Sequence, residues 1–224
     1  VEKGMMPAGN PAQPSCILAG WLLNGKGDPI QRNVLVHLRG GRIVSLEPAR
    51  GEQPTSLQTL DLAGCTLLPG LVDAHVHLAM SGTPDPGTRR RQLDATYDEA
   101  TAGIESRLRS HLAFGVVGVR DGGDRAGHAA RYKSERLPRT GAPVSVRTAG
   151  RAWHARGRYG RLIGRSPSEG QELGDSIARE HSRPDHVKIV NSGLNSLLAF
   201  GRTTPPQFPA RALADAVQKA RRLG

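Results

Sequence analysis

The spacing of hydrophobic residues changes near residue 69 and divides the chain into two parts. Before this point, short apolar runs alternate with turn residues, a pattern typical of β-strands. The predicted strands cover residues 16–23, 33–39, 42–46, 57–62 and 66–68. Gly40-Gly41 separates two of these runs and predicts a hairpin. We therefore expect residues 1–15 to form a flexible lead-in and residues 16–68 to form a small antiparallel, sandwich-like β unit.

Beyond residue 69, apolar runs of strand length alternate with helical patterns. Ala100, Ile104, Leu108 and Leu112, for example, recur four apart on one helical stripe. A first strand that ends at His77 is followed by predicted strands at 116–120, 143–149 and 186–190. Helices are predicted at 95–114, 125–137 and 208–223, and a further helix is predicted to start at the capping pattern 166–169. The predicted loops cover 79–93, 150–165 and 191–207. Four strand–helix units predict an α/β fold with a parallel sheet, either doubly wound or part of a barrel.

The charge and composition restrict the possible partners. A net charge of +11 and a pI near 10.7 could indicate a polyanion ligand. The excess is carried mainly by scattered arginines, however, and aromatic residues make up only 4% of the chain. Surfaces that bind single-stranded nucleic acid combine basic residues with stacking aromatics, so the composition argues against nucleic acid as the main partner.

The same composition gives no sign of a membrane or of an oxidising compartment. No apolar run approaches the roughly 18–20 residues that span a bilayer, and residues 1–14 lack the apolar core of a signal peptide. Cys16 and Cys65, the two cysteines, do not make a disulfide framework. We therefore expect a cytoplasmic protein that binds no membrane.

The strongest chemical pattern is Asp73-Ala74-His75-Val76-His77 at the end of the first strand. Side chains two apart on a strand point to the same face, about 6–7 Å apart along the chain. Two imidazoles in this arrangement can reach one metal ion at about 2.0–2.1 Å. Histidines that merely pack or cap are the alternative, and Asp73 is expected to hold the turn or to orient an imidazole.

Other polar residues follow the later strands, at the edge where α/β proteins place their chemistry. Lys188 lies in an apolar strand, where it either has a chemical role or extends its amine to water. The remaining candidates either line a substrate pocket or belong to turns and ordinary surface loops: Asp121, Trp153, His154, Arg158, Tyr159, Asn191 and Ser192.

Three segments together resemble a known family: PGLVDAHVHL at 69–78, FGVVGVRDGGD at 114–124 and HVKIVNSG at 186–193. They are similar to the amidohydrolase superfamily, in particular its imidazolonepropionase-like and Xaa-Pro-dipeptidase-like branch. The resemblance covers residues 16–224 and implies that residues 69–224 form the first half of a TIM (β/α)8 barrel. It also implies a metal-dependent hydrolase that cleaves amide-type C–N bonds in a small cyclic amide or dipeptide-like substrate.

The resemblance assigns roles to three residues. His75 and His77 match the paired first-strand metal ligands. Lys188 matches the lysine that carbon dioxide converts to a carbamate, which bridges two ions in binuclear members. The expected cofactors are therefore one or two divalent ions, most plausibly zinc, and carbon dioxide bound on Lys188.

The chain also departs from the family pattern. Full-length members carry further metal-binding histidines on the fifth and sixth strands and an acid/base aspartate on the eighth, and none of these occurs before Gly224. We therefore expect an incomplete site, assign no catalytic residue, and expect open sheet edges that could pair with another chain or a complementary segment. The alternatives are a non-catalytic metal-binding or assembly fragment and, less favoured, a polyanion binder.

Overall fold

The computed structural model describes residues 15–50, 59–140, 144–180, 184–192, 201 and 203–223. They belong to two compact units that divide between residues 69 and 70. Most of the predicted lead-in, the start of the predicted strand 57–62 and most of the predicted loop 191–207 lie outside the described residues. No helix within the described ranges is both long and apolar enough to cross a membrane.

The first unit contains one four-stranded sheet with the strand order β3-β2-β1-β4. Its strands are β1 (Cys16–Leu22), β2 (Gln31–Arg39), β3 (Arg42–Pro48) and β4 (Thr59–Leu67). The first three pair antiparallel, as predicted, but β4 runs parallel to β1, so the sheet is mixed. The predicted runs 57–62 and 66–68 are joined in the single strand β4, because Ala63, Gly64 and Cys65 continue the extended backbone.

Glycines shape this sheet at two places. Gly40 and Gly41 both have positive φ, at 57° and 72°, which confirms the predicted hairpin between β2 and β3. Gly20 lies at a shift of register between β1 and β4, where a Cβ would come within 2.0 Å of the Ala63 carbonyl oxygen. The two small apolar clusters of the unit contain Cys16, Leu18 and Leu35 in one case and Leu22, Val34 and Val36 in the other.

The second unit is built around a parallel sheet with the order β5-β6-β7. Its elements are β5 (Leu71–Val76), α1 (Pro86–Asp94), α2 (Tyr97–Ala113), β6 (Val116–Asp121), α3 (His128–Glu135), α4 (Leu137–Thr140), β7 (Ser145–Thr148), β8 (Ala152–Trp153), β9 (Gly164–Arg165), α5 (Leu173–Ala178) and α6 (Ala210–Arg222). The short strands β8 and β9 pair parallel with each other. This confirms the predicted α/β class with parallel strands.

Helix α2 follows the predicted stripe closely. Ala100, Ile104 and Leu108 are buried, whereas Leu112 is partly exposed near the helix end. Thr96 and Glu99 form a reciprocal capping box that starts the helix one turn before the buried stripe. Ile104 and Leu108 pack with residues of β6, β7 and α3 in the larger core cluster, whose buried members are Leu78, Ile104, Leu108, Val119, Ala129, Tyr132, Val144 and Val146.

Helix α1 lies inside the predicted loop 79–93, so that prediction was wrong. The Asp85 carboxylate accepts a hydrogen bond from the Thr88 amide at 2.5 Å, and Pro86 occupies the first helical turn. The helix buries none of its residues. It therefore leaves no hydrophobic periodicity in the sequence, and only its cap could have revealed it.

Two further predictions differ from the structure in the C-terminal part. The capping pattern at 166–169 starts no helix, and α5 begins only at Leu173. The Ser166 hydroxyl lies 3.3 Å from His154 Nδ1 and does not cap a helix. The predicted strand 186–190 is reduced to one bridge between Ile189 and Trp153. Trp153, Leu173, Ile177 and Ala216 form the second core cluster, and Val187 and Ile189 pack against it.

Candidate metal centre

Strand β5 brings the two predicted histidine ligands together at its carboxyl end. His75 lies within β5 and His77 follows it, and their ring centroids are 5.4 Å apart at an angle of 61°. Asp73 Oδ1 accepts a hydrogen bond from the His75 amide at 3.0 Å. This bond lies within β5 and reaches the backbone of His75, so the expected role of Asp73, in holding the turn or in orienting an imidazole, stays a prediction.

The orientation of His77 is fixed by a backbone carbonyl. Its Nδ1 lies 2.8 Å from the Gly123 carbonyl oxygen, which can only accept a hydrogen bond. Nδ1 must therefore carry the proton, which leaves the lone pair on Nε2. A hydrogen bond of this kind on one ring nitrogen is the usual support for an imidazole that binds metal through the other.

Lys188 reaches the same place from the segment that follows α5. Its Nζ lies 3.4 Å from His75 Nε2. The positive charge of Lys188, followed by burial and by His77, lowers the pKa of His75 below its usual value. The arrangement therefore favours a neutral His75 imidazole, the form that can bind a metal ion.

Two glycines in the turn after β6 lie close to the site, and the sequence pattern did not predict their role. A Cβ on Gly122 would lie 2.8 Å from His77 Cε1 and 3.4 Å from His75 Cδ2. Gly123 has a φ of 92°, and a Cβ there would lie 2.8 Å from the Gly150 carbonyl oxygen. The turn signal Asp121-Gly122-Gly123-Asp124 was visible in the sequence, but its contact with the histidines was not.

Asp121 is fully buried, with an exposed fraction of 0%. Its carboxylate accepts hydrogen bonds from the Leu78 amide at 2.7 Å, the Gly123 amide at 2.8 Å and the Thr148 hydroxyl at 3.4 Å. Burial raises the pKa of Asp121, and the two amide hydrogen bonds oppose that shift. A carboxylate surrounded in this way holds the surrounding loops together and leaves no oxygen facing a substrate.

The aromatic and histidine residues of the loop after β7 lie mostly in packed positions. Trp153 belongs to the second core cluster, and the Arg165 guanidinium lies 4.4 Å above its ring. His154 is buried, and its Nδ1 is 2.9 Å from the Ala155 carbonyl oxygen. Within the described part of the chain, His154 Nε2 is buried without a hydrogen-bond partner.

The remaining predicted pocket residues connect loops. Arg158 donates to the Pro205 carbonyl oxygen at 2.7 Å, and Tyr159 accepts from Gln207 Nε2 at 2.8 Å through its backbone while its ring is exposed. Asn191 Oδ1 accepts from the Phe208 amide at 2.7 Å, ahead of α6. Ser192 is exposed and borders a range that the structure does not describe.

The donor set around His75 has too few ligands to hold a divalent metal ion unless a further ligand is added. Among the described residues, no three His, Cys, Asp or Glu side chains converge as a metal-binding group. The side chains present are two imidazoles and the Lys188 amine, and Arg120 adds a further positive charge that acts on His75. A carbamate on Lys188 would supply the missing negative oxygen, so the residues are compatible with the predicted metal site.

Comparisons with known proteins agree with the resemblance seen in the sequence. No family model matches the chain. An imidazolonepropionase from Pseudoalteromonas atlantica is 29% identical over 115 residues, which cover 49% of this chain and 28% of that protein. A 5-methylthioadenosine/S-adenosylhomocysteine deaminase from Halobacterium salinarum is 38% identical over 79 residues, which cover 34% of this chain and 16% of that protein.

Solved structures show the same relationship at the level of the fold. A Xaa-Pro dipeptidase with bound methionine in its active site superimposes with a TM-score of 0.69 and 20% sequence identity, covering 92% of this chain and 54% of that one. The chain thus spans about half the length of this neighbour and less than a third of the two curated relatives. The D-x-H-x-H strand, the order of the three motifs and these likenesses make the chain similar to members of the amidohydrolase superfamily.

Proposed function

We propose that the chain is the N-terminal half of a metal-dependent hydrolase that cleaves amide-type C–N bonds in a small cyclic amide or dipeptide-like substrate. The observation that carries this proposal is the 3.4 Å approach of Lys188 Nζ to His75 Nε2, beside His77. Three basic side chains from two distant parts of the sequence meet where parallel-strand enzymes place their chemistry. In this proposal, residues 69–224 form about the first four units of a (β/α)8 barrel, and the four-stranded sheet of residues 16–68 belongs to a sandwich-like unit.

His75 and His77 would hold the metal through ring nitrogens, and Lys188 would do so through a carbamate. In the carbamate reaction, the neutral Lys188 amine forms an N–C bond to carbon dioxide and releases one proton to solvent. This converts a lysine among cations into an anionic oxygen ligand. Imidazole and carboxylate-type oxygen ligands are compatible with zinc, as one ion or as a bridged pair.

Such an ion supplies Lewis-acid chemistry, which lowers the pKa of a water molecule to about 7 and polarises a carbonyl group. The chain's own residues prepare that position. Gly123 keeps the His77 lone pair on Nε2, and Lys188 favours the neutral form of His75. No residue among the 224 is proposed as the group that transfers the proton to the leaving nitrogen.

Substrate contacts would come from the loops that follow β7 and Lys188. His154 is the best supported of these residues, because its buried Nε2 has no partner within the described ranges. Trp153, Arg158, Tyr159, Asn191 and Ser192 remain candidates for the pocket wall. Asp121 is better assigned a positioning role, because its carboxylate is already occupied by three donors.

A second candidate function is a non-catalytic metal-binding or assembly module. It is favoured by strand β5, which lies at the edge of its sheet with Leu71 and Val72 exposed, Val72 by 69%. An exposed strand edge can pair with another segment or chain. The two candidates share the metal site and differ in whether the 224 residues take part in turnover.

Metal content and hydrolysis of an amide panel test these proposals together. We expect the purified 224-residue chain to bind zinc in a bicarbonate-dependent way, with His75→Ala and Lys188→Ala each reducing the bound metal, and to show little turnover of cyclic amides or Xaa-Pro dipeptides. Zinc loading that is unchanged in both variants would refute the metal site. Strong turnover by the 224-residue chain that a chelator abolishes would refute the proposal that its site is incomplete. A longer chain that binds metal but stays inactive would favour the non-catalytic metal-binding or assembly module.

A further inference from the structure

The carboxylate of Asp185, three residues before Lys188, lies where the segment that carries Lys188 meets α3 and β7. Its side chain is only 11% exposed and accepts hydrogen bonds from Lys133 Nζ of α3 at 2.5 Å and from Arg147 Nη1 of β7 at 3.3 Å. It also accepts from the Thr148 amide at 2.7 Å. None of these contacts involves a substrate or a metal ligand, so the role of Asp185 must be structural or positional.

Asp185 and Thr148 form a two-point connection at the carboxyl end of β7. The Asp185 amide donates to the Thr148 carbonyl oxygen at 3.0 Å, and the Asp185 carboxylate accepts from the Thr148 amide. The side chain thus supplies the hydrogen bond that a neighbouring strand would otherwise supply with its backbone. This accounts for the absence of a regular strand over 186–190, because a carboxylate has replaced one bond of the ladder.

Backbone pairing resumes on the other side of Lys188. The Trp153 amide donates to the Lys188 carbonyl oxygen at 2.8 Å, and the Val190 amide donates to the Trp153 carbonyl oxygen at 2.8 Å. Lys188 is therefore held through its own carbonyl, between two further fixed points at Asp185 and Val190. A slip of one residue in an extended segment moves every side chain to the opposite face, so Asp185 acts together with the bonds to Trp153 in making Lys188 face His75.

The connection continues through buried groups to the histidine pair. The Thr148 hydroxyl donates to Asp121, Asp121 accepts from the Gly123 amide, and the Gly123 carbonyl oxygen accepts from His77 Nδ1. Hydrogen bonds made by Thr148, Asp121 and Gly123 thus lead from Asp185 to His77. A displacement at Asp185 has a direct structural route to both Lys188 and His77.

We propose that Asp185 is a positioning residue that sets the register of the segment carrying Lys188, so that the lysine amine meets His75. The effect on metal and carbamate binding rests on the proposed function. The effect on the register of the segment rests only on the hydrogen bonds between Asp185 and Thr148. The bond to Thr148 sets the register, whereas the ion pairs with Lys133 and Arg147 compensate the charge of the buried carboxylate. Asp185→Asn can keep the hydrogen bond from the Thr148 amide but loses the ion pairs with Lys133 and Arg147. This variant therefore separates the effect of register from the effect of charge.

The test compares Asp185→Ala and Asp185→Asn with Asp175→Ala, a control that removes a lysine–carboxylate hydrogen bond of the same length, 2.5 Å, between α5 and α6. In the metal-free protein, amide hydrogen exchange at Trp153 and Val190 reports the register without any metal chemistry. We expect Asp185→Ala to accelerate exchange at both amides at least tenfold, Asp185→Asn to stay within threefold of wild type, and Asp175→Ala to leave both unchanged. Unchanged exchange in Asp185→Ala would overturn the proposal.

Metal and carbamate readouts then test the consequence. With ¹³C-labelled bicarbonate and diamagnetic Zn²⁺ as the probe, we expect Asp185→Ala to bind the ion about 10–100-fold more weakly and to lose the carbamate resonance, while Asp185→Asn retains both. If wild type itself shows neither ion binding nor carbamate, the proposed function fails while the exchange data still decide the role of Asp185. Equal losses in Asp185→Asn and Asp185→Ala would assign the effect to charge and overturn the positioning role.

Discussion

Lys188 Nζ lies 3.4 Å from His75 Nε2, although 113 residues separate the two positions in the sequence. The contact joins the first strand of the parallel sheet to the segment that follows α5. It also places a cation beside an imidazole, which disfavours a second positive charge on His75 and lowers its pKa. A neutral His75 is the form that metal binding requires.

Lys188 provides the first prediction, which concerns the carbamate. Lys188→Arg keeps the positive charge but cannot form a carbamate, and Lys188→Ala removes both the charge and the nitrogen. We expect both variants to bind zinc at least about 10–100-fold more weakly than wild type, since each loses an anionic ligand and not only its orientation. Metal analysis after dialysis at fixed bicarbonate measures this, and a Lys188→Arg variant that retains full zinc would exclude the carbamate.

The second prediction concerns the space between Gly122 and the imidazoles of His75 and His77. Gly122→Ala would place a methyl group 2.8 Å from His77 Cε1, so the ring must move away from its hydrogen bond with Gly123. We expect weaker metal binding and an altered His77 imidazole signal in NMR spectra. Gly82→Ala is the matched control, because a Cβ at Gly82 has no atom within 4 Å. Equal behaviour of the two variants would show that the site tolerates movement of His77.

The third prediction concerns Asp121 and the stability of the second unit. Asp121→Asn replaces one accepting oxygen with an amide group that donates, so the Leu78 or Gly123 amide loses its buried partner. We expect the free energy of unfolding to fall by about 1–3 kcal/mol. Asp94→Asn, which removes an exposed ion pair with Arg125, should change it by less than about 1 kcal/mol. Urea denaturation of both variants measures the difference, and similar losses would contradict the role of Asp121.

The fourth prediction concerns acid stability. Burial raises the pKa of Asp185, but hydrogen bonds from Lys133 and Thr148 outweigh it, and the pKa lies below its usual value. The unfolded chain therefore takes up the proton first as pH falls, and stability that is fully present above about pH 5 is lost as the pH drops through the folded-state pKa. We expect wild type to lose more stability than Asp185→Asn between about pH 5 and pH 3, as followed by urea unfolding. Parallel profiles would show that the ion pairs do not stabilise the fold.

The local patterns of the sequence predicted much of the fold and the proximity of the two candidate metal ligands. Period-two spacing predicted that His75 and His77 lie side by side at the end of β5, and period-four spacing predicted the buried stripe of α2. Gly40-Gly41 predicted the hairpin because only a few residues readily adopt positive φ at both central positions of a tight turn. In each case the determining interaction lies within a few residues of the pattern.

The features that the sequence did not predict depend on contacts between distant segments. The Ser166 capping pattern is overridden because its hydroxyl contacts His154, and the strand at 186–190 is interrupted because Asp185 bonds to Thr148, 37 residues away. Helix α1 was missed for a different reason: it buries no residue and therefore has no apolar stripe. Asp185 bonds to Thr148, Gly122 lies beside the imidazoles and Gln207 donates to the Tyr159 carbonyl oxygen. Each of these contacts joins residues that are far apart in the sequence.

The turn from Asp121 to Asp124 has a consequence for how this protein could acquire new substrates. Both carboxylates are buried, a Cβ on Gly122 would meet the imidazoles, and Gly123 has no room for a Cβ, so almost every substitution in this turn would disturb the candidate metal site. Under the proposed function, variation that changes substrate preference must therefore accumulate elsewhere. The exposed loop around Tyr159 and Arg161 is open to such change, and laboratory evolution of new specificity should begin there.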